Sequence, residues 1–212
     1  MRFCSNYIYI IHNKMDVGIS LGWNCESAGK GVGLGIRGVK ANGYQTCPFD
    51  ECITNYRGII QCIKEDFKYF CDPSYLAIIP AKFSTGGIVK SEPLIYNVRY
   101  GFIFNHESPE HAELYRSQNW PGGKNHYIDN NFKLFIERYD RRINSFRNYV
   151  KNNSVRFILG KFDSDITELQ QTIKEAYPTT KFDLYLYTPS VSIELFQKHH
   201  ELMEEKSSHI IE

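Results

Sequence analysis

Apolar residues along this chain follow two rhythms. Ile53, Tyr56, Ile60, Ile63, Phe67 and Phe70 recur at alternating spacings of three and four, the period of a helix with one buried face, and predict a helix over 53–70. The same rhythm returns in Phe132, Phe135, Ile136, Tyr139, Ile143, Phe146 and Val150. It predicts a second helix over 130–150, with Arg138, Asp140, Arg141 and Arg142 largely off its apolar face. Short apolar runs supply the strands: VGISLG (17–22), YGFIFNH (100–106), VRFILGKF (155–162) and FDLYLYT (182–188). Asp165, three residues before Glu168, reads as a capping-box start to a helix over 165–176, with Pro178 beyond its end. Ser190 reads as the cap of a last helix reaching about Glu205.

Strands alternating with helices, above all after residue 100, predict an α/β fold. Its mostly parallel sheet would join the strands at 17–22, 100–105, 155–160 and 182–188, flanked by helices. The stretches 71–99 and 107–129 carry Pro and Gly without clear periodicity, so they read as functional loops or as short strands that the pattern hides. At 212 residues, 42% of them hydrophobic, the chain suits one domain with a substantial core. Residues 1–14 read as an N-terminal extension, because Met15 opens the MDVGISLG stretch as naturally as Met1 opens the chain.

Charge removes some partners. The formal net charge is +1 with no clustered basic tract, which argues against nucleic acid. The apolar run YIYII (7–11) is too short for a signal core or a membrane span, so no membrane partner is expected. Six cysteines (Cys4, Cys25, Cys47, Cys52, Cys62 and Cys71) lie in the first third. Cys62 falls on the helical 53–70 segment, with Cys52 and Cys71 at its two ends; this fits a disulfide framework poorly, so reduced thiols and a cytoplasmic protein are expected. Cys47 and Cys52 lack a second pair at metal-ligand spacing, so neither metal nor cofactor is expected. Gly33-Leu34-Gly35-Ile36-Arg37-Gly38 matches a dinucleotide fingerprint formally, but no clear strand precedes it and no convincing helix opens on it.

Candidate chemistry gathers where strands end. In parallel sheets, sites lie beyond the carboxyl ends of the strands. Cys25 follows the first strand, His106 ends the strand near 100–105, and Asp163 and Asp165 follow the strand near 155–162. A thiol, an imidazole and a carboxylate on one edge are the parts of a nucleophilic triad. Each also has a plain reading: Cys25 as a packing residue, His106 as a loop histidine, the aspartates as turn and cap residues, Asp50 as N-cap of the helix from Ile53. His111 and His126 lie in the 107–129 stretch, which could cover the site as a lid.

ISLGWNCESA, then IRG, CPFD, YGFIFNHE and RYDRRINSFRNYV before VRFIL, resemble the Putative papain-like cysteine peptidase family, a group found in bacteria and some large DNA viruses. The resemblance spans roughly 17–160. Ser20-Leu21-Gly22, Cys25, Ala28, Arg37, Pro48-Phe49-Asp50, His106 and the Arg141-Arg142 pair match its motifs. It implies a thiol-dependent hydrolase with Cys25 as nucleophile, His106 as base, and Asp50 (or Asp163) orienting the imidazole. Asn24, Glu26 and Arg142 would contact a peptide, isopeptide or thioester substrate. A papain-like α+β fold is the alternative architecture, and a host-cytoplasmic location follows if the chain is viral. Cys-dependent acyl transfer in glycan modification and a non-catalytic interaction module are the competing functions. The chain departs from the family in two places. Glu51 stands where the family has Trp, and Gly29, Gly31, Gly33 and Gly35 occupy the first helix, which must be short.

Overall fold

A computed structural model describes residues 15–85, 88–160 and 166–190. The elements follow as β1 (Val17–Ser20), α1 (Cys25–Gly33), α2 (Tyr56–Lys64), β2 (Leu76–Thr85), β3 (Ile88–Asn97), β4 (Phe102–Ile103), α3 (Leu114–Ser117), α4 (Asp129–Asn152), β5 (Val155–Gly160), α5 (Thr167–Ala176) and β6 (Phe182–Tyr187). β1, β5 and β6 form a parallel sheet in the order β1-β5-β6, with α5 as the crossover between its last two strands. The α/β expectation holds, with helices against this sheet and a smaller antiparallel sheet, β2-β3-β4, beside it.

The strand near 100–105 does not join the parallel sheet. It is β4, paired antiparallel with β3. Only four residues separate the two strands, and Asn97 closes the turn, accepting from Gly101 N on its carbonyl and from Tyr100 N on its side chain. So short a link can only reverse the chain, because a parallel partner needs a crossover of a dozen residues or more. The 71–99 stretch holds the two strands that the pattern hides. Pro80 faces Pro93 across them. The neighbouring Ile95 turns its N–H to Ser108 and its C=O to Phe104, away from β2. Pro93, two residues earlier, therefore sits at a position where no bond to β2 is needed, and the strand tolerates a residue without an N–H.

The helices differ from expectation at their ends. Asn55, not Asp50, caps α2, accepting from Gly58 N at 2.7 Å. The helix stops at Lys64, and the left-handed backbone of Asp66 and Phe67 turns the chain. Phe67 and Phe70 are still buried, so the periodicity reported burial correctly and conformation only in part. Glycine keeps α1 to nine residues, and Gly31 lets it press on β5: a Cβ there would overlap the Ile158 side chain. The 107–129 stretch forms short helical turns anchored in the core by Trp120 and Tyr127. The core centres on Phe49, fully buried and edge-on to Phe70, Phe102 and Phe146. All five described cysteines are free thiols. Cys4, the Asp165 cap and the last helix lie outside the described residues.

One extended pair of residues joins the two sheets. Ile53 exchanges both backbone hydrogen bonds with Ile103, at 2.8 and 2.9 Å. Thr54 donates its N–H to Trp23 O at 3.2 Å and accepts Trp23 N on its hydroxyl at 2.7 Å. That hydroxyl also donates to Leu21 O at 3.2 Å. Thr54 is buried, so losing the hydroxyl strands a buried donor, at a cost of about 1–3 kcal/mol. Thr54→Val is therefore expected to lower unfolding stability by that amount in urea titration. An unchanged midpoint would show that the seam does not bear on the fold.

Candidate active site

Cys25 sits at the end of a sharp elbow. β1 runs into Gly22 and Trp23, both left-handed at φ +93° and +84°. A Cβ on Gly22 would overlap the Thr54 side chain, so glycine is required there. A bulky tryptophan at positive φ is strained and is held by its surroundings. Its N–H bonds to Thr54, its indole donates to Glu26 Oε2 at 3.3 Å, and its ring packs beside Ile158 and Tyr187. The chain then enters α1 with Asn24 as N-cap, accepting from Glu26 N at 2.7 Å, and Cys25 as the first helical residue. Cys25 is exposed. A strand, a strained turn and an exposed thiol at a helix start have the geometry of a nucleophile elbow.

His106 lies across the seam. Beyond the single Ile53–Ile103 bridge the chain leaves the extended conformation on both sides, 48–51 forming a turn and the segment after β4 coiling at once. His106 stands there in a single helical turn, Asn105–Glu107, half-buried. Among the described residues, neither the Cys25 thiol nor the His106 ring makes a hydrogen bond to another side chain; the His106 ring lies tilted against His111, with centroids 5.9 Å apart. His111 is itself positioned, with Nδ1 3.1 Å from Glu92 Oε2 and Nε2 3.2 Å from Asn105 Nδ2.

Glu51 is a carboxylate whose charge reaches both Cys25 and His106. Its carboxylate takes ion pairs from Arg142, from Arg138 at 3.1 Å and from Lys40 at 3.5 Å. Burial raises its pKa, but Arg142, Lys40, Arg138 and His106 together outweigh that and hold it at about 2. Its charge bears on Cys25 as well. Partial desolvation of the sulfur comes first in raising the thiol pKa, Glu51 and Glu26 add to it, and only the backbone N–H of Cys25 works the other way. The helix N-terminus thus fails to make Cys25 a resting thiolate, contrary to what its position alone implies. Burial lowers the His106 pKa and prevails over Glu107 and Glu51, which raise it. At neutral pH the pair is therefore a thiol and a neutral imidazole.

The remaining expected residues have structural duties. Asp50 is buried and pairs with Arg37 at 2.7 Å, also accepting Cys47 N at 2.8 Å. Two family-matched residues, Arg37 and Asp50, thus bind each other. Asp50 Oδ1 is buried without a hydrogen bond, and the carboxylates whose charge reaches His106 are Glu107 and Glu51. Asn24 serves as a cap, and Glu26 holds Trp23 and accepts from Ser190 N at 3.1 Å. Arg142 is buried and pairs with Glu51 and, at 3.2 Å, with Glu107. Asp163 lies outside the described residues.

Sequence reading missed Glu51, Glu107 and Arg138 as members of the site. Glu107, fully buried, accepts from Arg138 at 2.8 Å and from the Tyr139 hydroxyl at 2.8 Å. Arg138 and Arg142 accordingly turn inward from α4 rather than lying off its buried face. A signal was present: an acid in place of the family's Trp at 51, an acid next to His106, and arginines one helical turn apart at 138 and 142. Opposite charges in such surplus on buried elements must meet.

The family model described as "Putative papain-like cysteine peptidase" matches residues 16–184. No curated protein and no solved structure matches the chain. Among the described residues no helix is long and apolar enough to cross a membrane.

Removing the Glu51 charge should release Cys25. Glu51→Gln is expected to lower the thiol pKa and to speed alkylation of Cys25 by iodoacetamide at pH 8, read by peptide mass spectrometry over time. An equal or slower rate in the variant would mean that Glu51 does not act on the thiol.

Proposed function

The chain belongs to the Putative papain-like cysteine peptidase family, and on that premise we propose that it is a thiol-dependent hydrolase in which Cys25 attacks a peptide, isopeptide or thioester carbonyl. The observation that carries this reading is the elbow: an exposed thiol at the first position of α1, past two left-handed residues, beside the seam that leads to His106.

The resting protonation states define the step. Neutral His106 accepts the Cys25 proton as Sγ bonds to the carbonyl carbon, so base catalysis replaces a preformed thiolate–imidazolium pair. The carbonyl oxygen becomes an oxyanion, and the Cys25 N–H at the start of α1 is the donor for it, an interaction of a kind often worth about 3 kcal/mol. Glu26 N–H is already committed to Asn24. The imidazolium, favoured by Glu107 and Glu51, returns the proton to the leaving group. Water then attacks the thioester carbonyl with His106 again taking the proton, freeing the acid and restoring the thiol. Glu51, rather than Asp50, is the carboxylate assigned to the imidazole. No cofactor or metal enters this scheme, and the partner is the peptide or acyl substrate alone.

Activated thioesters and a peptide library are the substrates to screen. Cys25→Ala is expected to abolish turnover with stability changed by no more than about 1–2 kcal/mol, since little buried volume is lost. His106→Ala is expected to abolish it too. In the wild type, kcat/KM should rise with pH through a midpoint below the ordinary histidine value of 6.5, since burial lowers it and the base must be neutral. Turnover surviving in Cys25→Ala would overturn the assignment.

A further inference from the structure

We propose that the groove between the 40–46 loop and α4 is a binding site for a doubly charged phosphate group. Its volume is about 210 Å³, and its walls include Lys40, Thr46, Arg138, Arg141 and Arg142. Every lining residue is polar or charged, and none is acidic. The site stands on its own residues and holds whether or not Cys25 is a nucleophile.

The charges around the groove do not balance. Four cations line it, and the carboxylates paired to them are two, Glu51 and Glu107. Arg37 and Asp50 nearby neutralise each other. The cluster therefore carries two positive charges in excess, the complement of a dianion. Two details mark where it is unfinished. Arg141 is exposed and has no carboxylate partner among the described residues. Arg142 is only 5% exposed, yet its Nη1 is buried without a hydrogen bond, its contact with Glu107 lacking the alignment for one.

Geometry narrows the ligand. Arg138 and Arg142 lie one turn apart on α4, Arg141 stands next to Arg142, and all three line the groove. The uncommitted fork of Arg141 can donate in a pair to the oxygens of a tetrahedral phosphate, while Arg138 and Arg142, already bonded to Glu51 and Glu107, add positive charge behind it. Thr46, on the 40–46 loop, also lines the groove. The volume admits one phosphate with a small organic group. The residues lining the walls include no aromatic ring on which a base could stack. A polynucleotide would need an extended basic track.

Isothermal titration of the full chain with inorganic phosphate and, separately, glycerol 3-phosphate tests the site at constant ionic strength, with acetate as the monoanion control. Both phosphates should bind and acetate should bind far more weakly. Arg141→Gln, at an exposed position that should not disturb folding, should weaken phosphate binding about tenfold, the effect of one charge-assisted hydrogen bond. Lys40→Gln combined with it should abolish binding, while Cys25→Ala should bind as the wild type does. Tighter binding of glycerol 3-phosphate would identify an ester as the occupant, and equal binding the free ion; either supports the site. Absence of phosphate binding, or unchanged binding by the double variant, would overturn it.

Discussion

Two residues, Ile53 and Thr54, hold the parallel sheet and the antiparallel sheet edge to edge. Ile53 is bonded to Ile103 on one side, and Thr54 to Trp23 and Leu21 on the other. Neighbouring residues are fitted to this close approach. Gly22 leaves room for the Thr54 side chain, and a Cβ on Gly58 would run into the Tyr100 carbonyl. Asn55, besides capping α2, donates to the carbonyls of Tyr100 at 2.8 Å and Gly101 at 3.1 Å. The seam therefore fixes the end of β1, the start of α2 and the turn before β4 in one frame. Cys25 is two residues beyond that frame on one side and His106 three residues beyond it on the other.

The charged cluster beside the seam is expensive to bury. Taking Glu107, Glu51 and Arg142 out of water carries a penalty of several kcal/mol per ion, which mutual attraction repays only with good geometry. Here Glu107 is satisfied by Arg138 and Tyr139, and Glu51 by three cations. Apolar residues could fill such a volume at less expense. What the cluster supplies instead is a fixed field: a carboxylate whose pKa its cations hold at about 2, and whose charge acts to raise the pKa of both Cys25 and His106.

Much of the framework was legible in the sequence. The strands at β1, β5 and β6, the long helix α4 and the shortness of α1 follow from apolar rhythm and glycine spacing. The strand near 100–105 was visible as a strand but not as antiparallel, because its partner β3 has no alternation to read and carries a proline at a bond-free position. The elbow at Cys25 could be anticipated from Gly22, although the left-handed Trp23 could not, since its strain is imposed by Thr54 thirty-one residues away. Asp50 was singled out through its motif, and its motif partner Arg37 proves to be its ion-pair partner. Glu51 was noted as an anomaly before its role was apparent, because the charge on α4 looked solvated. Periodicity shows which side chains are apolar, not which cations are drawn inward by buried acids.

The proposed chemistry rests on Cys25 and His106 lying within reach of one another across the seam. The most direct measurement is cross-linking of a His106→Cys variant with dibromobimane, which fluoresces when it has joined two thiols. Cys47, Cys52, Cys62 and Cys71 are buried and should remain unmodified in the folded chain. A fluorescent peptide pair linking positions 25 and 106 is the predicted result. Single alkylation at both positions with no linked pair would contradict it.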